Sequence, residues 1–91
     1  GIQTNEMSFG NIYLFPNPAN DFTEIKLFSQ SDTDTKLCVF NLLGTTILTK
    51  EINLVRGENN LPLTTAKFQS GIYFINISQG NYSVTKKLVI E

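Results

Sequence analysis

The chain has no histidine and no tryptophan, and only one cysteine and one methionine. Without histidine there is no Ser–His or Cys–His nucleophile pair, no ordinary neutral-pH base and no common zinc site. The lone Cys38 cannot form an internal disulfide. It sits between Leu37 and Val39, with Lys36 the only cation near it in sequence. That is the setting of a buried, inert thiol rather than a nucleophile. Without tryptophan the largest sugar-stacking platforms are missing, and the seven Phe and three Tyr are expected in the core. Charge is scarce as well. Charged residues make up 16% of the chain, and seven basic against eight acidic side chains leave a net charge of -1. This builds no basic face for nucleic acid and no tail of like charge. No apolar run approaches the roughly 20 residues that cross a bilayer. No signal-peptide pattern is visible. Gly1 opens the chain and the first methionine is Met7, so the segment is expected to be part of a longer protein, with any leader or catalytic domain upstream.

What is present is a compact β pattern. Ninety-one residues suffice for one domain, and 41% of them are apolar. A chain of this size buries roughly 60–70% of its unfolded surface. Residues 1–11 are polar and read as a linker, leaving 12–91 as the domain. From there the period is two almost everywhere. Ile12 to Phe15 form a short strand that Pro16 stops. Phe22 to Phe28 alternate, with Ile25 and Leu27 on one side and Glu24 and Lys26 on the other. A turn cluster, SQSDTD, follows. Lys36 to Phe40 is apolar on both faces, as in a central strand. Asn41-Leu42-Leu43-Gly44 turns the chain, with Gly44 expected at positive φ.

Thr45 to Leu54 is one bent strand or two, and Arg56 to Asn59 is the next turn. Asn60 to Leu63 contains Pro62, which has no N–H for a ladder and so belongs at a sheet edge. After a crossover, Gly71 to Ser78 and Tyr82 to Ile90 form a hairpin around Gln79-Gly80-Asn81. Seven or so strands with turn signals every 8–12 residues specify an all-β, antiparallel two-sheet sandwich. Tyr73, two residues into a strand after a crossover, fits a tyrosine corner, whose hydroxyl bonds back to the crossover backbone.

The search for chemistry yields little. Asp32 and Asp34 form the only D-x-D, without the loop that would gather six calcium ligands, so they read as a solvated turn. The remaining carboxylates lie scattered on different strands, and no glycine-rich phosphate loop occurs. No metal, cofactor or catalytic residue is assigned. An enzyme is not expected, and a binding or addressing module remains.

Five short motifs, in order, carry a resemblance. They are Pro16-Asn17-Pro18-Ala19 with Asp21, Phe40 to Gly44, Gly57 to Leu63, Gly71-Ile72-Tyr73, and Lys86-Lys87-Leu88-Val89-Ile90. In this arrangement the chain resembles the C-terminal sorting domains of type IX secretion substrates (the Por secretion system of Bacteroidota), type A, from about Ile12 to Glu91. One departure is visible: Asn41 and Thr45 stand where the family commonly has an Asp and a basic residue. The resemblance implies an Ig-like sandwich of about seven strands that serves as an address. It implies an upstream cargo domain in the same chain, export through the periplasm to the outer membrane, cell surface or medium, and recognition by the outer-membrane translocon and its shuttle protein. It also implies removal, in many members, by a sortase-like cysteine peptidase at the linker. Lys86, Lys87, Leu88, Val89 and Ile90 are the expected translocon contacts. Pro16, Asn17, Pro18, Asp21, Asn41, Gly44, Gly71 and Tyr73 are the family positions.

The residues alone also allow simpler roles. Paired lysines protect an edge strand from aggregation, and the two prolines stiffen a turn. An edge beside Tyr82 to Ile90 also offers pairing to a second copy. The alternative function is an Ig-like adhesion or carbohydrate-binding module of a cell-surface protein.

Overall fold

A computed structural model describes residues 11–91. The expected linker, residues 1–11, lies outside the described residues except for Asn11. Seven strands follow in order: β1 (Tyr13–Phe15), β2 (Phe22–Ser29), β3 (Thr33–Asn41), β4 (Thr46–Leu54), β5 (Gly57–Thr64), β6 (Gly71–Gln79) and β7 (Tyr82–Ile90). They form a three-stranded sheet, β1-β2-β5, packed on a four-stranded sheet, β4-β3-β6-β7, with antiparallel pairing throughout. This is the antiparallel two-sheet sandwich that the period-two pattern specifies, with the seven strands and Ig-like form that the resemblance implies.

Alternation decides which side chains meet between the sheets. β2 sends Thr23, Ile25, Leu27 and Ser29 inward, against Leu37 and Val39 of β3 and Ile75 and Ile77 of β6 on the facing sheet, all buried. Each large aliphatic side chain in this layer contributes about 1.5–3 kcal/mol. β3 is central, as its apolar outer face suggested, but it begins at Thr33 inside the expected turn cluster. The turn shrinks because Asp32 and Asp34 each find a partner. Asp32 Oδ1 accepts the Arg56 N–H at 2.8 Å, and Asp34 pairs across strands with the Asn53 amide.

Other boundaries also move. Thr46 to Leu54 is one strand, with a register shift opposite Val39 and Phe40. Gly57 to Asn59 belong to β5 rather than to a turn. The buried Asn59 side chain closes the preceding bend by itself. Its Oδ1 accepts the Val55 N–H at 2.9 Å, and its Nδ2 donates to the carbonyls of Val55 and Gly57. Pro62 lies on β5, an edge strand, as its missing donor requires.

Two expectations about side chains are corrected. Cys38 is only half-buried, because its parity places it on the outer face of β3 while Leu37 and Val39 point in. The aromatic residues are not mainly core residues. Tyr73 is the one buried aromatic among the described residues, whereas Tyr13, Phe15, Phe22 and Phe28 are exposed. Phe22 and Phe28 share parity with Glu24 and Lys26, so burying Ile25 and Leu27 turns all four outward.

The four-stranded sheet is the wider one, and its flanking strands show it. Lys86 on β7 and Lys50 on β4 occupy inward registers, opposite Ile75 and Leu37, yet both are exposed. The narrower sheet does not reach over them. Inward lysines on edge strands oppose sheet-to-sheet pairing.

Candidate recognition site

The stretch between β1 and β2 is tied to the far end of the chain. The peptide bonds before Pro16 and Pro18 are both cis. The Thr23 hydroxyl donates to the Pro16 carbonyl at 2.8 Å, fixing the exit from β1. Asn17 then reaches β7. Its Nδ2 donates to the Lys87 carbonyl and its Oδ1 accepts the Val89 N–H, each at 3.0 Å. Ala19 continues the pairing through its backbone. Its N–H donates to Val89 O at 2.8 Å, and its carbonyl accepts the Glu91 N–H at 2.9 Å, forming a parallel bridge opposite Ile90. Residues 17–19 therefore act as a short extra strand on the outer edge of β7. The Ala19 methyl is fully buried beneath it.

The same stretch is pinned to the crossover before β6. The Asp21 carbonyl accepts the Thr65 N–H at 2.8 Å, and the buried Thr65 hydroxyl donates to Asn20 O at 2.9 Å. Further along the crossover, Tyr73 Oη donates to Gln69 O at 2.7 Å, the tyrosine corner. Its ring packs on Phe68 with centroids 5.2 Å apart. Gly71, two residues earlier, has φ +151, which side chains rarely adopt.

The β3–β4 turn stands beside these. Asn41 Oδ1 accepts the N–H groups of Leu43 and Thr45, at 3.0 and 2.9 Å, and Gly44 takes φ +88. The amide acceptor thus does the turn-closing work for which a carboxylate would also serve. The turn holds Leu42 and Leu43 in solvent, Leu43 at 90% exposure.

Registers place all of this at one end of the sandwich. Gly71 pairs with Ile90, Tyr73 with Asn41 and with Leu88, and Phe22 with Thr64. Pro16, Asn17, Pro18, Asp21, Asn41, Gly44, Gly71, Tyr73 and the tail of β7 consequently share that pole. A shallow groove of about 240 Å³ lies there, lined in part by Asn41, Leu42, Leu43, Gln69 and Ile72. Lys86 and Lys87 lie further down β7, opposite Ile75 and Phe74. Leu88 and Ile90 are buried in the core, while Lys86, Lys87 and half-buried Val89 keep accessible surface. Sequence reasoning missed the bond from Asn17 to β7 and the outward display of Leu42 and Leu43. No spacing rule links residues 70 positions apart. Two leucines in a strongly turn-forming context were the available sign of exposed apolar side chains.

Among the described residues no group of three His, Cys, Asp or Glu could hold a metal ion. The fold and this pole define a small β-sandwich module whose closing strand is locked against its opening turn. The family model for the secretion system C-terminal sorting domain matches residues 13–91. The chain therefore belongs to the type IX secretion sorting-domain family, a non-catalytic tail whose role is that of a C-terminal secretion signal. An endo-acting ulvan lyase from Formosa agariphila is 26% identical over 91 residues. That match takes in 99% of this chain and 17% of the lyase, so the chain spans about a sixth of the relative's length. The dimeric latent PorU of Porphyromonas gingivalis shares the fold, with a TM-score of 0.68 and 14% identity, over 87% of this chain and 9% of that one.

Proposed function

We propose that this domain addresses an upstream cargo domain of the same chain to the type IX outer-membrane translocon and its shuttle protein. The observation that carries the proposal is the convergence of four of the five sequence motifs on one pole, where Asn17 and Ala19 hold the tail of β7. A signal split between both ends of a chain exists only when the domain is folded. Recognition of that pole would thus report a folded passenger tail. Since Leu88 and Ile90 serve the core, contact with the machinery falls to Val89, Lys87 and Lys86, together with Leu42 and Leu43. Leu88 and Ile90 contribute by keeping β7 in place. The passage ends at the cell surface or in the medium, and a sortase-like cysteine peptidase then cuts within the segment before Ile12. The relative's composition, a lyase with a matching portion of 17%, supports an enzyme as the kind of cargo carried.

The test is an export assay. A periplasmic reporter carrying residues 1–91 is compared, in a bacterium with type IX machinery, with the same fusion lacking Lys86 to Glu91. Only the complete fusion is expected to leave the periplasm. Retention of both, with the domain folded and undegraded, would refute the reading.

A further inference from the structure

The outer face of the three-stranded sheet carries four aromatic side chains, Tyr13, Phe15, Phe22 and Phe28, with exposures from 50% for Phe28 to 72% for Phe15. The opposite sheet treats its aromatics differently. There Phe40 and Phe74 stack on each other, centroids 5.6 Å apart, and both are half-buried. An exposed aromatic cluster on a small domain calls for an occupant.

The registers define how the rings are laid out. Tyr13 is opposite Lys26, Lys26 opposite Asn60, Phe15 opposite Glu24, and Phe28 opposite Glu58. Phe28 and Phe22 mark the two ends of β2, roughly 20 Å apart at about 3.4 Å per residue. Lys26 and Glu24 lie between them. Rings thus flank a charged centre. Protein interfaces have the reverse anatomy, with charge depleted from the buried core and placed at the rim. A protein partner would have to bring matching polar groups for the Lys26 ammonium and Glu24 carboxylate to the centre of its contact, where protein interfaces are poorest in them. A polyhydroxylated ligand satisfies both, and its C–H faces stack on the rings.

A groove of about 370 Å³ shows the same mixture at one end of the face. It is lined in part by Tyr13, Phe28, Lys26, Glu58, Asn60 and Asn11. Its size falls in the range of small-ligand sites. The Asn11 amide donates to Tyr13 Oη at 3.2 Å, which orients that ring. Two rings, two amides, a cation and a carboxylate are what a pyranose needs: flat apolar walls and hydroxyl partners of both polarities.

We propose that this face binds an oligosaccharide chain, with Tyr13 and Phe28 as stacking platforms and Lys26, Glu58 and Asn60 as hydroxyl partners. Phe15 and Phe22 extend the track along β2. The Tyr13–Phe28 groove lies toward the end of the sheet away from the motif-bearing pole and does not depend on the sorting role.

The test is affinity electrophoresis of the 91-residue chain in gels containing alginate, laminarin, xylan or mannan, with sedimentation run in parallel. Retardation is expected in at least one gel. Tyr13→Ala and Phe28→Ala should each weaken it about tenfold. Ile47→Ala, an exposed apolar residue on β4, should leave it unchanged. If alginate is the ligand, Lys26→Gln abolishes retardation there, which assigns the lysine to a uronate carboxylate. Absence of retardation in every gel, or retardation equal in the ring variants, overturns the proposal. So does a dimer that the ring variants dissociate without any retardation, which would give the face to a second copy.

Discussion

Asn17 and Val89 meet across 72 positions of chain, the side-chain carbonyl of one accepting the backbone N–H of the other at 3.0 Å. The same side chain donates to Lys87 O, so one asparagine presents to β7 the donor and acceptor that a neighbouring strand would present. The opening turn and the closing strand are therefore one structural unit. If the last strand carries the signal, as proposed, residues at the start of the domain belong to it as well.

Asn17→Ala should loosen the tail of β7 without unfolding the sandwich. The two lost bonds are exposed, so the cost is about 1 kcal/mol. In a domain of this size that lowers Tm by roughly 4–8 °C. The local consequence should be sharper. Amide exchange at Val89 rises about five- to tenfold, whereas the Ile75 amide, in the middle of β6, follows only the global change. Equal effects at both amides would show that the clamp has no local role.

Tyr73→Phe isolates the hydroxyl of the tyrosine corner. The ring contact with Phe68 survives, and only the bond to Gln69 O is removed. A loss of about 1–1.5 kcal/mol in urea unfolding, at unchanged m-value, is expected. A variant as stable as the parent would mean that water replaces the hydroxyl at Gln69 without penalty.

Gly71→Ala separates backbone strain from packing. A Cβ at Gly71 would meet nothing within 4 Å, so there is no clash to relieve. The φ of +151 alone should make alanine costly, by about 1–3 kcal/mol. Because Gly71 pairs with Ile90, the strain falls on the pole and should reduce export of a fused reporter along with stability. Thermal unfolding and the export assay measure the two effects. A stable alanine variant would show that the backbone relaxes away from this φ.

Much of this architecture was legible in the sequence because it follows from local rules. Alternation gave the inward set Ile25 and Leu27. Pro62 placed its strand at an edge, and Gly71-Ile72-Tyr73 marked the corner. The failures were of two physical kinds. Side chains that replace backbone partners, such as Asn59 at its bend and Asn17 on β7, lengthen or cap strands through bonds that propensity does not encode. The aromatic face was misjudged by trusting residue type over parity. Phenylalanine is usually buried, but Phe22 and Phe28 sit in phase with Glu24 and Lys26. Once Ile25 and Leu27 are inside, a pleated strand leaves no choice. The resemblance to sorting domains located the motif residues and was silent on which of them touch one another.

Lys86 has two roles that one substitution can separate. It occupies an inward register opposite Ile75 on an edge strand, beyond the reach of the narrower sheet. As edge protection, its charge keeps that flank hydrated and prevents two sandwiches from joining along β7. Lys86→Val should then leave monomer stability within about 0.5 kcal/mol and produce concentration-dependent dimers in sedimentation. Lys50→Val, at the equivalent inward position on β4, should do the same through the other edge. As a contact for the export machinery, Lys86 should behave otherwise. Export would fall in the Lys86 variant even at concentrations where it stays monomeric, and the Lys50 variant would be exported normally. Dimerisation of both variants with unimpaired export of their monomers would confine the lysines to edge protection. The recognition surface would then reduce to Lys87, Val89 and the Leu42-Leu43 turn.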